Sequence, residues 1–120
     1  MNTKIGLSAE CSAELYLCGR GLRPLARNIR CRLGEVDLVM SHGATLVFVE
    51  VRLRSHRRFP NGAASVTVRK QKRIMATAEW FLQSQPALQA SPIRFDVISY
   101  DGKLSNAAPR WIQQAFDSSD

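Results

Sequence analysis

The chain has 120 residues, enough for one domain that buries roughly two-thirds of its unfolded surface on folding. Its 17 basic and 10 acidic residues give a net charge of +7, a balance that suits a polyanion, most often a phosphate backbone. No stretch approaches the ~20 apolar residues that span a bilayer, no apolar run marks a secretory signal, and the three cysteines are an odd number for a disulfide framework. The composition therefore reads as one cytoplasmic domain over 1–120, with reduced thiols, no membrane partner and a polar tail from about residue 117.

Leu7, Cys11, Leu15, Cys18 and Leu22 recur at steps of three and four, which predicts an amphipathic helix with Ser8 as N-cap, ended by Gly19 and Gly21. Glu10 and Glu14, one turn apart, share a face of it. Beyond Pro24 the chain reads as extended, with a short strand over 25–30, a tight connection at 32–34 and a second strand over 35–40. Ser41, His42 and Gly43 supply turn chemistry, and residues 45–54 form a third strand, apolar on both faces through Val49. Such a strand is central in its sheet.

Residues 57–65 have no periodicity and read as a basic loop. A second helix is predicted over 68–84, where Ile74, Met75, Ala78, Phe81 and Leu82 make one stripe and Pro86 stops it. Residues 93–100 alternate as a fourth strand, Asp101 and Gly102 form a turn, and residues 110–116 pack back as a short final element. The fold class is α/β, a mixed sheet flanked by helices.

Two stretches carry the chemistry, Gly34 to Val39 and Phe48 to Arg54, because both set acids among Val, Leu and Phe. A buried carboxylate needs a cation or hydrogen-bond donors. Side chains alternate along a strand, so Glu50 and Arg52 point one way, and a hairpin at 41–43 brings Asp37 near Glu50. Two carboxylates about 5 Å apart repel by roughly 3 kcal/mol at an effective dielectric near 20, which a divalent cation such as Mg²⁺ or Mn²⁺ removes. Asp37, Glu50 and the Val51 carbonyl are the expected metal donors, with Arg52 as a cation for a phosphoryl transition state. Spacing alone also allows Glu50, Arg52 and Arg54 to be the wet end of an amphipathic strand, with Asp37 paired to an Arg across it.

Eight Arg or Lys and no acid lie between Arg52 and Arg73. Arg54, Arg57, Arg58, Arg69, Lys70, Lys72 and Arg73 are the candidate phosphate contacts, reading nucleic-acid shape rather than base sequence. His42 and His56 lack partners at metal-ligand spacing and read as surface residues. Trp80, Phe81 and Trp111 sit at helical or strand spacing, which favours core packing over base stacking.

At these residues the chain resembles the YraN family, related to archaeal Holliday-junction resolvases of the PD-(D/E)XK nuclease superfamily. The likeness runs through Gly6, Ala9, Glu10, Ala13, Tyr16 and Leu17, then Asn28 and Arg30, then the two stretches above. It continues with Thr67, Lys70, Arg73 and Ala78, then Arg94, Phe95 and Asp96, and ends at Ala115 and Phe116. The resemblance implies a restriction-endonuclease-like core in the order helix, three strands, helix, strand. It also implies Asp37 as the motif aspartate, Glu50 as the second metal-binding acid and Glu10 as a supporting acid. The expected activity is metal-dependent endonucleolytic cleavage of DNA, including branched or recombining DNA, and the two-fold symmetry of a four-way junction suggests a homodimer. Arg52 departs from the family pattern, which has Lys there; arginine keeps the charge but does not act as a base. Ala9 stands where the family usually has Gly. The alternative expectation is a non-catalytic nucleic-acid-binding module that keeps the fold.

Overall fold

A strand apolar on both faces needs a layer above and below it. In the computed structural model, Leu46 to Val51 are buried throughout and lie in the middle strand of such a sandwich. Residues 3–54, 66–101 and 108–117 are described, the side chains of the first stretch from 9 to 53. In chain order the elements are α1 (Thr3–Cys18), β1 (Arg23–Cys31), β2 (Gly34–His42), β3 (Thr45–Arg54), α2 (Val68–Gln83), a 3₁₀ turn (Pro86–Leu88), β4 (Ile93–Asp101) and β5 (Arg110–Phe116). The sheet order is β1-β2-β3-β4-β5, antiparallel except for the parallel β3–β4 pair that α2 connects.

Each sheet face has its own core. On one, Ala9, Ala13 and Leu17 of α1 meet Leu38, Met40, Val47, Val49 and Ile98. On the other, Ile74 and Ala78 of α2 meet Val39, Phe48, Phe95 and Val97. The predicted α1 stripe is thus rotated, because Leu15 is 73% exposed while the alanines are sealed. Small side chains let a helix lie close on a sheet, and a pattern weighted towards Leu and Cys misses that face. Ser8 lies inside α1 rather than at its cap, since the helix begins at Thr3. The three cysteines are free.

The final segment is a fifth strand, so the order is helix, three strands, helix and two strands, one strand more than expected. It pairs with β4 across a register shift, and Gln114 there has φ +49. Such an irregularity breaks the alternation by which a strand is recognised. The expected loop at 57–65 and the turn residue Gly102 lie outside the described residues.

Thr67 caps α2, its hydroxyl accepting from the Lys70 N–H at 3.1 Å. Gly34 presses the β1–β2 turn against this helix: a Cβ on Gly34 would stand 3.1 Å from the Arg73 backbone oxygen. Arg73 Nε donates to the Leu33 carbonyl at 3.2 Å across the same contact. The first turns of α2 are thereby fixed beside the start of β2. Among the described residues no helix is long and apolar enough to cross a membrane.

Candidate active site at the fork between two strands

The β2–β3 ladder runs from His42 opposite Thr45 to Leu38 opposite Val49, and there the strands part. The start of β2 continues against β1, where Arg30 faces Glu35, and the end of β3 continues against β4, where Glu50 faces Val97. In the fork the Val51 N–H donates to Asp37 Oδ2 at 2.8 Å. A strand residue sends its N–H and C=O to the same side, so the Val51 carbonyl also faces the fork. The hairpin does bring Asp37 and Glu50 together, but with a carboxylate standing in for a strand partner.

Three acids gather here. Glu10 from α1, Asp37 from β2 and Glu50 from β3 are 7%, 7% and 3% exposed. Burial raises the Asp37 pKa to about 8, the Glu50 charge and, more weakly, Glu10 push the same way, and the Val51 N–H opposes them. Asp37 thus holds its proton well above the usual carboxylate range and shares a hydrogen bond with Glu50. The Glu10 pKa is raised, first by burial, against a lowering hydrogen bond to Asn28. Glu10 Oε1 is buried with no hydrogen-bond partner among the described residues.

Asn28 is a residue that strand and helix patterns alone do not mark as functional. It sits in mid-strand with φ +52, between Arg27 opposite Leu38 and Ile29 opposite Val36, and so stands across from Asp37. Its readable signal was an asparagine inside a strand, the residue type that best tolerates left-handed backbone after glycine.

Among the described residues, two cations meet Glu50. Lys70 Nζ lies 2.6 Å from Glu50 Oε2, and Arg52 Nη1 lies 3.6 Å from the same oxygen. Lys70 also lines a cleft of about 790 Å³ with Arg30, Arg69 and Arg73, next to the cap residue Thr67. Arg30, absent from the predicted contacts, is paired there with Glu35 at 3.0 Å. Lys72 is not brought to the cleft; it lies on another side of α2, beside Glu79 and Asp117. Arg54 belongs to β3 by its backbone, while its side chain and all of Arg57 and Arg58 lie outside the described residues.

Carboxylates and a backbone carbonyl are the donors a hard cation takes. The donor chemistry and the unmatched Glu10 oxygen fit such an ion. In this arrangement, however, no three Asp, Glu, His or Cys among the described residues stand at metal-ligand spacing. The positive charge beside Glu50 is supplied by Lys70 and Arg52.

Elsewhere in the sheet a fourth buried acid is treated differently. Asp96, 0% exposed, accepts from Arg94 Nε at 2.9 Å and Nη2 at 3.0 Å, from Trp111 Nε1 at 2.9 Å and from the Gln114 N–H at 3.0 Å. His42 is half-buried, with Nδ1 3.0 Å from Arg94 Nη2 and its ring 6.0 Å from that of Trp111. Its sequence position in a turn gave no sign of this. Trp80, expected in the core, is 45% exposed, whereas Phe81 packs edge-on against Phe48.

A family model described as "Uncharacterised protein family UPF0102" matches residues 9–100. The chain belongs to the UPF0102 family. This is the YraN-like family to which the motifs point. The match to the UPF0102 model takes in the acids of the fork, α2 and Asp96, and stops before β5. A UPF0102 protein of Methylobacillus flagellatus is 47% identical over 115 residues, covering 96% of this chain and 98% of the relative. Another, from Pseudomonas putida, is 46% identical over 116 residues, covering 96% and 94%. A third, from Pseudomonas paraeruginosa, is 44% identical over 115 residues, covering 94% and 92%.

Proposed function

We propose that this UPF0102 protein is a metal-dependent endonuclease with a restriction-endonuclease-like core, hydrolysing phosphodiesters in DNA and suited to branched or recombining substrates. The observation that carries the reading is the fork itself, where Asp37, Glu50 and Glu10 are buried together beside a basic cleft. Proteins seldom bury three acids near one another without a cation in mind. Asp37, Glu50 and the Val51 carbonyl are the groups to hold Mg²⁺ or Mn²⁺. The chemistry such an ion supplies when bound is polarisation of the phosphoryl oxygen and a lowered pKa for the attacking water.

The chain's own residues supply the rest. The Val51 N–H fixes the Asp37 carboxylate, so its second oxygen keeps one direction. Arg52 places a permanent charge next to Glu50, where it stabilises negative charge on the phosphorus centre but takes no proton. Arg30, Arg69 and Arg73 line the cleft that receives the phosphate backbone, contacts that fix position rather than read bases. A homodimer would present two such forks to a four-way junction.

The test is cleavage of linear, flapped and four-way DNA by the full chain with Mg²⁺ or Mn²⁺. Cleavage is expected, falling on the order of 10²-fold or more in Asp37→Asn and Glu50→Gln. Absence of cleavage, or cleavage indifferent to both substitutions, overturns the catalytic reading. The second reading is a binding module that has kept the fold, favoured by the two cations already set against Glu50. It expects salt-steep DNA binding, no heat of metal binding, and no cleavage even in Arg52→Lys.

A further inference from the structure

We propose that Lys70 is an internal counter-ion for the fork: its ammonium holds Glu50 in the metal-free protein, and a divalent cation competes with it, releasing the lysine into the basic cleft. The inference rests on the metal-binding reading above and assigns a positioning role within it.

Three observations converge on Lys70. Its Nζ makes the shorter of the two cation contacts to Glu50 Oε2, 2.6 Å against 3.6 Å for Arg52. Glu50 is 3% exposed, so its charge must be met from within the protein. Lys70 is also, among the described residues, the cleft residue that reaches this acid, with Arg30, Arg69 and Arg73 sharing the cleft. Its side chain remains 40% exposed, which leaves it room to swing. The Thr67 cap bonds the Lys70 backbone N–H, so the residue's main chain stays fixed while its four-carbon stem moves.

Arginine and lysine differ in a way that suits this division. A flexible ammonium exchanges readily for a metal ion at one carboxylate oxygen, whereas a planar guanidinium holds its geometry. Arg52 stays with the strand, and Lys70 on α2 moves between two anions, the Glu50 carboxylate and a nucleic-acid phosphate. Metal loading and backbone binding are thereby coupled through one side chain. The reciprocity is thermodynamic: the factor by which bound metal tightens phosphate binding, by freeing Lys70, is the factor by which bound phosphate, by holding Lys70 away from Glu50, tightens metal binding.

Mn²⁺ titration of the full chain without nucleic acid tests this, followed by calorimetry, in the natural protein, Lys70→Met and Lys70→Gln. Removing the competitor is expected to tighten Mn²⁺ binding roughly tenfold in both variants. In parallel, acetylation of Lys70 by a small amine-reactive reagent, read by mass spectrometry, is expected to rise several-fold when Mg²⁺ is added to the natural protein. Equal or weaker Mn²⁺ binding in both variants, with binding intact in the natural protein, overturns the counter-ion role and leaves the metal site standing. Lys70 reactivity unchanged by Mg²⁺ overturns it as well. Absence of Mn²⁺ binding in all three proteins overturns the metal reading, and this proposal with it.

Discussion

Asp37 and Asp96 are both buried aspartates on strands of one sheet, and they are solvated by the protein in opposite ways. Asp96 receives four donors from Arg94, Trp111 and the Gln114 backbone. Asp37 receives one backbone N–H and faces two further acids. A carboxylate with a complete set of donors is a fastening, here tying β4 to β5. One deprived of donors and placed beside like charges is unstable by itself, and proteins keep such an arrangement where something else is to bind. The difference distinguishes the two aspartates more sharply than burial does, since Asp96 is the more deeply buried of the two.

The contrast breaks most readily at Asp96. Asp96→Ala leaves the half-buried Arg94 guanidinium without its anion and the Trp111 and Gln114 N–H groups without their acceptor, and is expected to cost about 3–5 kcal/mol. For a chain of this size that lowers the melting temperature on the order of 10–20 °C, measured by thermal denaturation. A loss below about 1 kcal/mol would mean that the donors around Asp96 are incidental.

Asp37 should behave in the reverse sense. In metal-free protein its proton is held to about pH 8, against an ordinary 3.8, so the native state carries an extra proton between those values. Unfolding releases that proton, and stability falls as pH rises from about 4 to about 8. Asn keeps an acceptor for the Val51 N–H and a donor for Glu50, so Asp37→Asn is expected to stabilise the protein by about 1–3 kcal/mol at pH 8 and to flatten the slope. Urea unfolding in EDTA at pH 5, 6.5 and 8 measures both. Parallel curves for the two proteins would show that the fork carries no such strain.

The smallest effect on stability is expected at Arg30. Its pair with Glu35 is exposed on both sides, so Arg30→Ala should change stability by less than about 0.5 kcal/mol. DNA affinity should nonetheless fall for every sequence tested, with the salt slope reduced by about one. A variant that binds DNA as before would remove the cleft from the interface.

The order of elements through β4 was legible in the sequence, while the fifth strand was not, because the former is written in local periodicity: the burial of β3 on both faces, the turn at Gly43 and the stop at Pro86 each depend on neighbours a few residues away. The family motifs likewise singled out Asp37, Glu50 and Glu10, acids set within or beside apolar patterns. What tertiary structure decided was which groups meet those acids. Lys70 lies 20 residues from Glu50 and reached the prediction only as one of a run of cations; helix docking, set in part by the absent Cβ of Gly34, brings it to the carboxylate. Asn28 faces Glu10 through a left-handed backbone angle that no periodicity encodes. The face of α1 that is buried was settled by how closely Ala9 and Ala13 let the helix approach the sheet. A sequence determines which charges a fold must accommodate; whether each is satisfied or left wanting depends on donors delivered from distant parts of the chain, because hydrogen bonds and ion pairs act over a few ångströms in space and not along the sequence.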